Sequence, residues 1–177
     1  MKIGILRHFE VKLAYPNQRF VSKDVVTKWF ADYDKADVVV KDVDLSDIDW
    51  EICYSSDMLR AILTAKETYR GEVIESSKLR EIPLPTFTTN LKMPFIWWAV
   101  AVKLKQLTNH ESREQIKNAQ QRISEILDQI ATGRHKSILI VSHGSLMREM
   151  RKELRKRGFN GPGFSYPENG KLYVFER

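Results

Sequence analysis

The chain has 177 residues, of which 42% are hydrophobic and 29% charged, with a formal charge of +6. This describes a single globular domain over 1–177 and excludes a disordered or low-complexity chain. One cysteine, Cys53, excludes an internal disulfide and a multi-cysteine zinc site, and the longest apolar run, 95–102, falls far short of the ~20 residues of a membrane span.

In chain order, Ile3, Gly4, Ile5 and Leu6 read as a buried first strand. Residues 25–33 have helical spacing, with Asp24 as the expected cap. A second strand is expected over 49–54, with Cys53 packed inside it, followed by a helix over 59–69 and a short strand over 73–79. Pro83, Pro85 and Pro94 interrupt regular structure, and an apolar helix is expected over 95–107. Ser112 and Gln115 have capping-box spacing ahead of the stripe Ile116, Ala119, Ile123, Leu127 and Ile130, and Gly133 ends that helix. Residues 137–141 read as a strand buried on both faces. A helix over 146–157 closes at Gly158, and Asn169-Gly170 turns into a last strand over 171–175. The basic run Arg148, Arg151, Lys152, Arg155, Lys156 and Arg157 reads as a solvated helix face, so no nucleic-acid partner is expected. The alternation implies a three-layer α/β/α fold, with a mostly parallel central sheet and helices on both faces.

Ligands of such sheets bind at the carboxyl ends of the strands. Three polar segments fall there: Arg7-His8-Phe9-Glu10, the stretch from Ser55 through Asp57 and Arg60 to Ala65, and Ser142-His143-Gly144. Arg7, Arg60, His8 and His143 would converge on one edge, where an anion relieves their repulsion. Guanidinium groups match phosphate oxygens in pairs, and neighbouring cations keep an imidazole neutral and therefore nucleophilic. Asp57 reads as a helix-starting residue, and His110 and His135 as surface or capping residues. Two arginines argue against a metal at this edge, and none is expected.

Together these segments resemble the histidine phosphatase superfamily, also called the phosphoglycerate mutase-like family. The resemblance extends to His110-Glu111-Ser112 with Arg122, and to Asn169 before the last strand. It implies a phosphoglycerate mutase-like fold, no cofactor, and a phosphohistidine on His8, with Arg7, Arg60 and His143 holding the phosphoryl group. Glu81 matches the family's acidic residue and is the expected proton donor. Glu10, Ser56, Gly144 and Trp97 are the expected substrate-binding residues. A lid is expected around 83–110, where an aromatic cover at Trp97 and Trp98 suits a substrate with an apolar part. The alternative is that both tryptophans pack in the core.

The sequence departs from the family at Phe9, where glycine is usual, in the 11–14 stretch, which lacks the family's asparagine, and at Pro83-Leu84-Pro85. The expected activity is a metal-independent phosphomonoester hydrolase, of histidine acid phosphatase type, acting on a small phosphorylated metabolite. A phosphoglycerate mutase-type phosphotransferase and a non-catalytic phosphate-binding member remain alternatives. The short chain favours hydrolysis over mutase chemistry. A cytoplasmic monomer or homodimer with no membrane partner is expected. Sugar phosphates, nucleotides, cobalamin-pathway phosphates and phosphoproteins all remain open as substrates.

Overall fold

The computed structural model describes every residue except 86 and 90, and at 106 and 107 the backbone alone. Positions 86 and 90 belong to the expected lid, and that part of it lies outside the described residues. Five strands form the central sheet in the order β5-β4-β6-β1-β7, with β1 at Lys2–Arg7, β4 at Ile52–Ser56, β5 at Val73–Ser76, β6 at Ser137–Ser142 and β7 at Leu172–Glu176. All pair in parallel except β7, which runs antiparallel to β1. The sheet is therefore mostly parallel, as expected. Helices α1 (Lys23–Lys35), α2 (Leu59–Thr68), α3 (Phe95–Thr108), α4 (His110–Thr132) and α5 (Gly144–Lys156) complete the fold.

Strand β6 shows why the sheet needs two helical covers. Ile138 and Ile140 join the core that α4 and α5 bury, while Leu139 and Val141 join the opposite core with Ala61 and Ala65 of α2. Alternate strand residues point to opposite faces, so a run apolar at every position must be covered twice. All four are at most 1% exposed. Each such side chain contributes about 1.5–3 kcal/mol relative to exposure. Among the described residues, no helix is long and apolar enough to cross a membrane.

Several boundaries differ from the sequence reading. Strand β4 starts at Ile52 and reaches Ser56, so Asp49 and Glu51 fall before it. The expected strand over 73–79 ends at Ser76 and tightens into a 3-10 turn at Ser77–Leu79. Ser22, not Asp24, occupies the cap position of α1, and Asp24 lies in its first turn. The capping box at Ser112 is not formed. Asn109 caps α4 by accepting the Glu111 amide, and Ser112 is buried inside the helix. Helix α5 begins two residues earlier than expected, directly at Gly144. A small antiparallel pair, β2 (Glu10–Val11) with β3 (Val38–Val39), was not anticipated.

Candidate active site

Register alone assembles the site. Arg7 lies opposite Ser142 in the β1–β6 pairing, and Ser55 opposite Val141 in the β4–β6 pairing. The residues that follow each strand therefore leave the same carboxyl edge side by side. The loop before β7 supports this edge from the other side, where the Gly170 amide donates to Arg7 C=O at 2.9 Å and Asn169 Nδ2 to His8 C=O at 2.8 Å. Gly170 has φ +63°, and a Cβ there would come within 2.9 Å of the Phe9 ring. Glycine fits both the backbone and the space.

His8 and His143 face each other with ring centroids 5.1 Å apart, and both are at most 3% exposed. His8 Nδ1 lies 2.6 Å from Phe9 C=O. A carbonyl only accepts, so Nδ1 carries the proton and Nε2 is left with a bare lone pair. Burial, then the Arg60 charge, and to a smaller degree Arg7, lower the His8 pKa from 6.5 to about 3, against the opposing pull of the Phe9 bond. His143 is also held well below its ordinary value, by burial first and then by His8, Arg60 and Arg7. Both rings are neutral at physiological pH.

His143 Nε2 lies 2.9 Å from Ser56 Oγ, which also accepts the Met58 amide. If the Ser56 hydroxyl donates to Nε2, Nδ1 becomes an N–H donor. Ser56, one of the expected substrate-binding residues, thus orients His143.

The two arginines are held by groups that the sequence did not flag. Arg7 donates to Pro167 C=O at 2.8 Å and to the Tyr166 hydroxyl at 3.3 Å, with its guanidinium 4.6 Å from the Tyr166 ring centre. Arg60, with only 5% of its side chain exposed, pairs with Asp34 at 2.7 Å and lies over the Tyr33 ring. These partners come from α1 and from the loop before β7, so no local pattern around Arg7 or Arg60 reveals them. Even so, Arg7 Nε, Arg60 Nε and His143 Nδ1 are buried without a hydrogen-bond partner among the described residues. Unpaired buried polar atoms are costly, and an anion is the ligand class that satisfies N–H donors.

Glu81 reaches the same edge by a different route. Its two carboxylate oxygens accept the Ser145 and Leu146 amides, each at 3.0 Å, at the start of α5. Glu81 thus takes two of the amides at the start of α5. Arg122 of α4 fixes the turn before Glu81 by donating to the carbonyls of Ser77, Lys78 and Arg80. Asp57 is not a helix cap: Met58 holds that position, and Asp57 forms a two-pronged ion pair with Arg80 at 2.7 Å.

Phe9 is fully buried in a small cluster with Val11 and Val38. Its amide donates to Thr64 Oγ1 at 2.9 Å, so the backbone follows its course past the site with a large side chain present. Gly144 has a steric reason of its own, because a Cβ would meet the Tyr166 ring at 2.9 Å. Glu10 is exposed on β2 and, among the described residues, makes no ion pair with Arg7. Trp97 is 58% exposed on α3, and no described hydrogen bond or ring contact joins it to the site, while Trp98 is buried. The two tryptophans thus part company, one in the core and one outside. His110 is exposed at the start of α4, and His135 pairs with Glu51. Cys53 is buried, which pushes its thiol up to about 12.

The family model described as histidine phosphatase superfamily (branch 1) matches residues 39–177, so the match includes Arg60, Glu81 and His143 but not Arg7 or His8. No curated protein matches the sequence. Among solved structures, a candidate alpha-ribazole-5'-P phosphatase from Escherichia coli superposes with a TM-score of 0.57 at 12% identity, covering 98% of this chain and 89% of that one. A mycobacterial glucosyl-3-phosphoglycerate phosphatase gives 0.45 at 14% identity, covering 88% and 79%. A phosphoglycerate mutase from Plasmodium falciparum gives 0.41 at 18% identity, covering 88% and 75%.

Proposed function

This chain belongs to the histidine phosphatase superfamily, and we propose that it is a metal-independent phosphomonoester hydrolase that uses His8 as its nucleophile on a small phosphorylated metabolite. The carrying observation is the Nδ1–H bond from His8 to Phe9 C=O, which presents a neutral Nε2 beside two arginines. In the first step the Nε2 lone pair forms a bond to phosphorus as the P–O ester bond breaks. For this step Glu81 enters as the neutral acid, one oxygen giving up its amide hydrogen bond to carry the proton, and the departing alkoxide takes that proton. In the second step water, deprotonated by Glu81, attacks the phosphohistidine, releases inorganic phosphate and restores His8. Arg7, Arg60 and His143 donate to the phosphoryl oxygens as charge shifts in the transition state.

Hydrolysis is favoured over mutase-type transfer by the exposure of the site's rim. Tyr166, which touches Arg7, is 55% exposed, and the Asp34 side chain, which touches Arg60, is 53% exposed. His8 itself is 3% exposed, so water comes to the phosphoenzyme from this rim. The basic run of α5 supports a small-molecule partner over nucleic acid. Lys152, Lys156 and Arg157 pair with carboxylates, while Arg151 and Arg155 donate to backbone carbonyls.

The test is phosphate release from p-nitrophenyl phosphate in EDTA, with wild type and His8→Ala side by side. Turnover that survives chelation and disappears in the variant is expected. Equal activity in both proteins excludes His8 as nucleophile, and binding of phosphate without turnover by folded wild type marks a non-catalytic member.

A further inference from the structure

An apolar cavity of about 410 Å³ lies outside the residues assigned above. Its apolar wall is Val26 and Phe30 of α1, Leu84 and Phe87 from the segment after Glu81, and Trp98 and Val102 of α3, and Lys23, Asp24 and Thr27 of α1 form its polar side. The inner wall is fixed. Trp98 is 1% exposed, donates its indole N–H to Val21 C=O at 3.0 Å, and meets Phe87 edge-on with ring centres 5.2 Å apart.

Two independent stretches of chain bring this cavity to the phosphate site. Phe30 is about one helical turn, or ~5.4 Å, before Tyr33 and Asp34, which hold the Arg60 guanidinium. Leu84 lies only three residues beyond Glu81, a reach of about 10 Å at most. Two walls of the cavity thus belong to the stretches of chain that carry the Arg60 partners and Glu81. In the hydrolase reading, an ester's leaving group departs from between Arg60 and Glu81.

We infer that this cavity is the leaving-group subsite, and that the substrate is the phosphomonoester of an alcohol carrying a compact apolar body, aliphatic or aromatic. The inference rests on the hydrolase reading above. Hydroxyls fit only the side with Lys23, Asp24 and Thr27; against the aliphatic and aromatic wall they find no side-chain partner, and burying them unpaired is costly.

The probes are non-hydrolysable alkylphosphonates from methyl to octyl, with binding measured by calorimetry. Wild-type affinity rises about fourfold for each methylene that enters the cavity, then levels off when it is full. Thr27 lines the cavity from an exposed position on α1. Thr27→Trp abolishes the gain and leaves methylphosphonate binding unchanged, while Leu84→Ala moves the plateau to longer chains. Equal affinity along the wild-type series, or an undiminished gain in folded Thr27→Trp, overturns the subsite. Hydrolysis of p-nitrophenyl phosphate by the same preparations separates the two claims. Turnover without the chain-length gain removes the subsite alone, and the gain without turnover removes the hydrolase reading alone.

Discussion

Burying an imidazole between two arginines has a consequence for folding that does not depend on any substrate. His8 has a pKa of about 3 in the folded protein, against 6.5 for the free side chain. Between those values the unfolded chain binds the proton that the native state refuses, so stability falls as the pH falls. The contribution is fully present above about pH 6.5 and is lost progressively towards pH 3. From His8 alone, the loss relative to alkaline pH is about 1.4 kcal/mol near pH 5.5 and about 2.7 kcal/mol near pH 4.5. His143, shifted in the same direction, adds to it. The assay is urea unfolding of wild type and His8→Asn across this range. The asparagine amide still donates to Phe9 C=O but does not titrate. The variant's stability is therefore expected to depend less on pH, by about 1.4 kcal/mol per unit below pH 5.5. Identical pH slopes in the two proteins would refute the claim that the fold holds His8 neutral.

Arg60→Lys keeps a charge but loses the planar fork held between Asp34 and the Tyr33 ring, so kcat/KM for p-nitrophenyl phosphate falls about 100-fold or more; a change within about threefold would remove Arg60 from transition-state binding. Gly170→Ala forces a side chain into a φ of +63° and against the Phe9 ring, and costs about 1–3 kcal/mol in urea unfolding. An unchanged midpoint would mean that the loop before β7 does not set the position of the Arg7-His8 segment.

The strands that carry the site were legible because each is an apolar run ending abruptly in polar residues. Ile3 to Leu6 leads to Arg7-His8, and Ile138 to Val141 leads to Ser142-His143. The sheet then places those ends together through register, which periodicity does not reveal. Local chemistry misled at helix starts. Ser112 and Gln115 have the spacing of a capping box, yet Asn109 competes for the same role three residues earlier and wins, which draws Ser112 into the core. Asp57 looked like a cap because it precedes a helix, but the Arg80 guanidinium, brought close by the 3-10 turn, claims its carboxylate. Tyr33, Asp34 and Tyr166 were missed altogether. Their roles arise from cation–π and ion-pair contacts across 26 to 159 residues of sequence, for which no short motif exists. Phe9 looked like a defect in a glycine position. Its ring instead fills a hydrophobic cluster with Val11 and Val38, which the sequence alone does not disclose.

The central claim is that phosphorus passes through His8. The most direct test is to mix wild type with p-nitrophenyl phosphate, quench in alkali during steady-state turnover, and map the phosphorylated peptide by mass spectrometry. An acid-labile phosphate on the peptide containing His8, absent from His8→Asn, is the predicted result. Turnover with the label on another residue, or with no phosphoenzyme at any quench time, would contradict it.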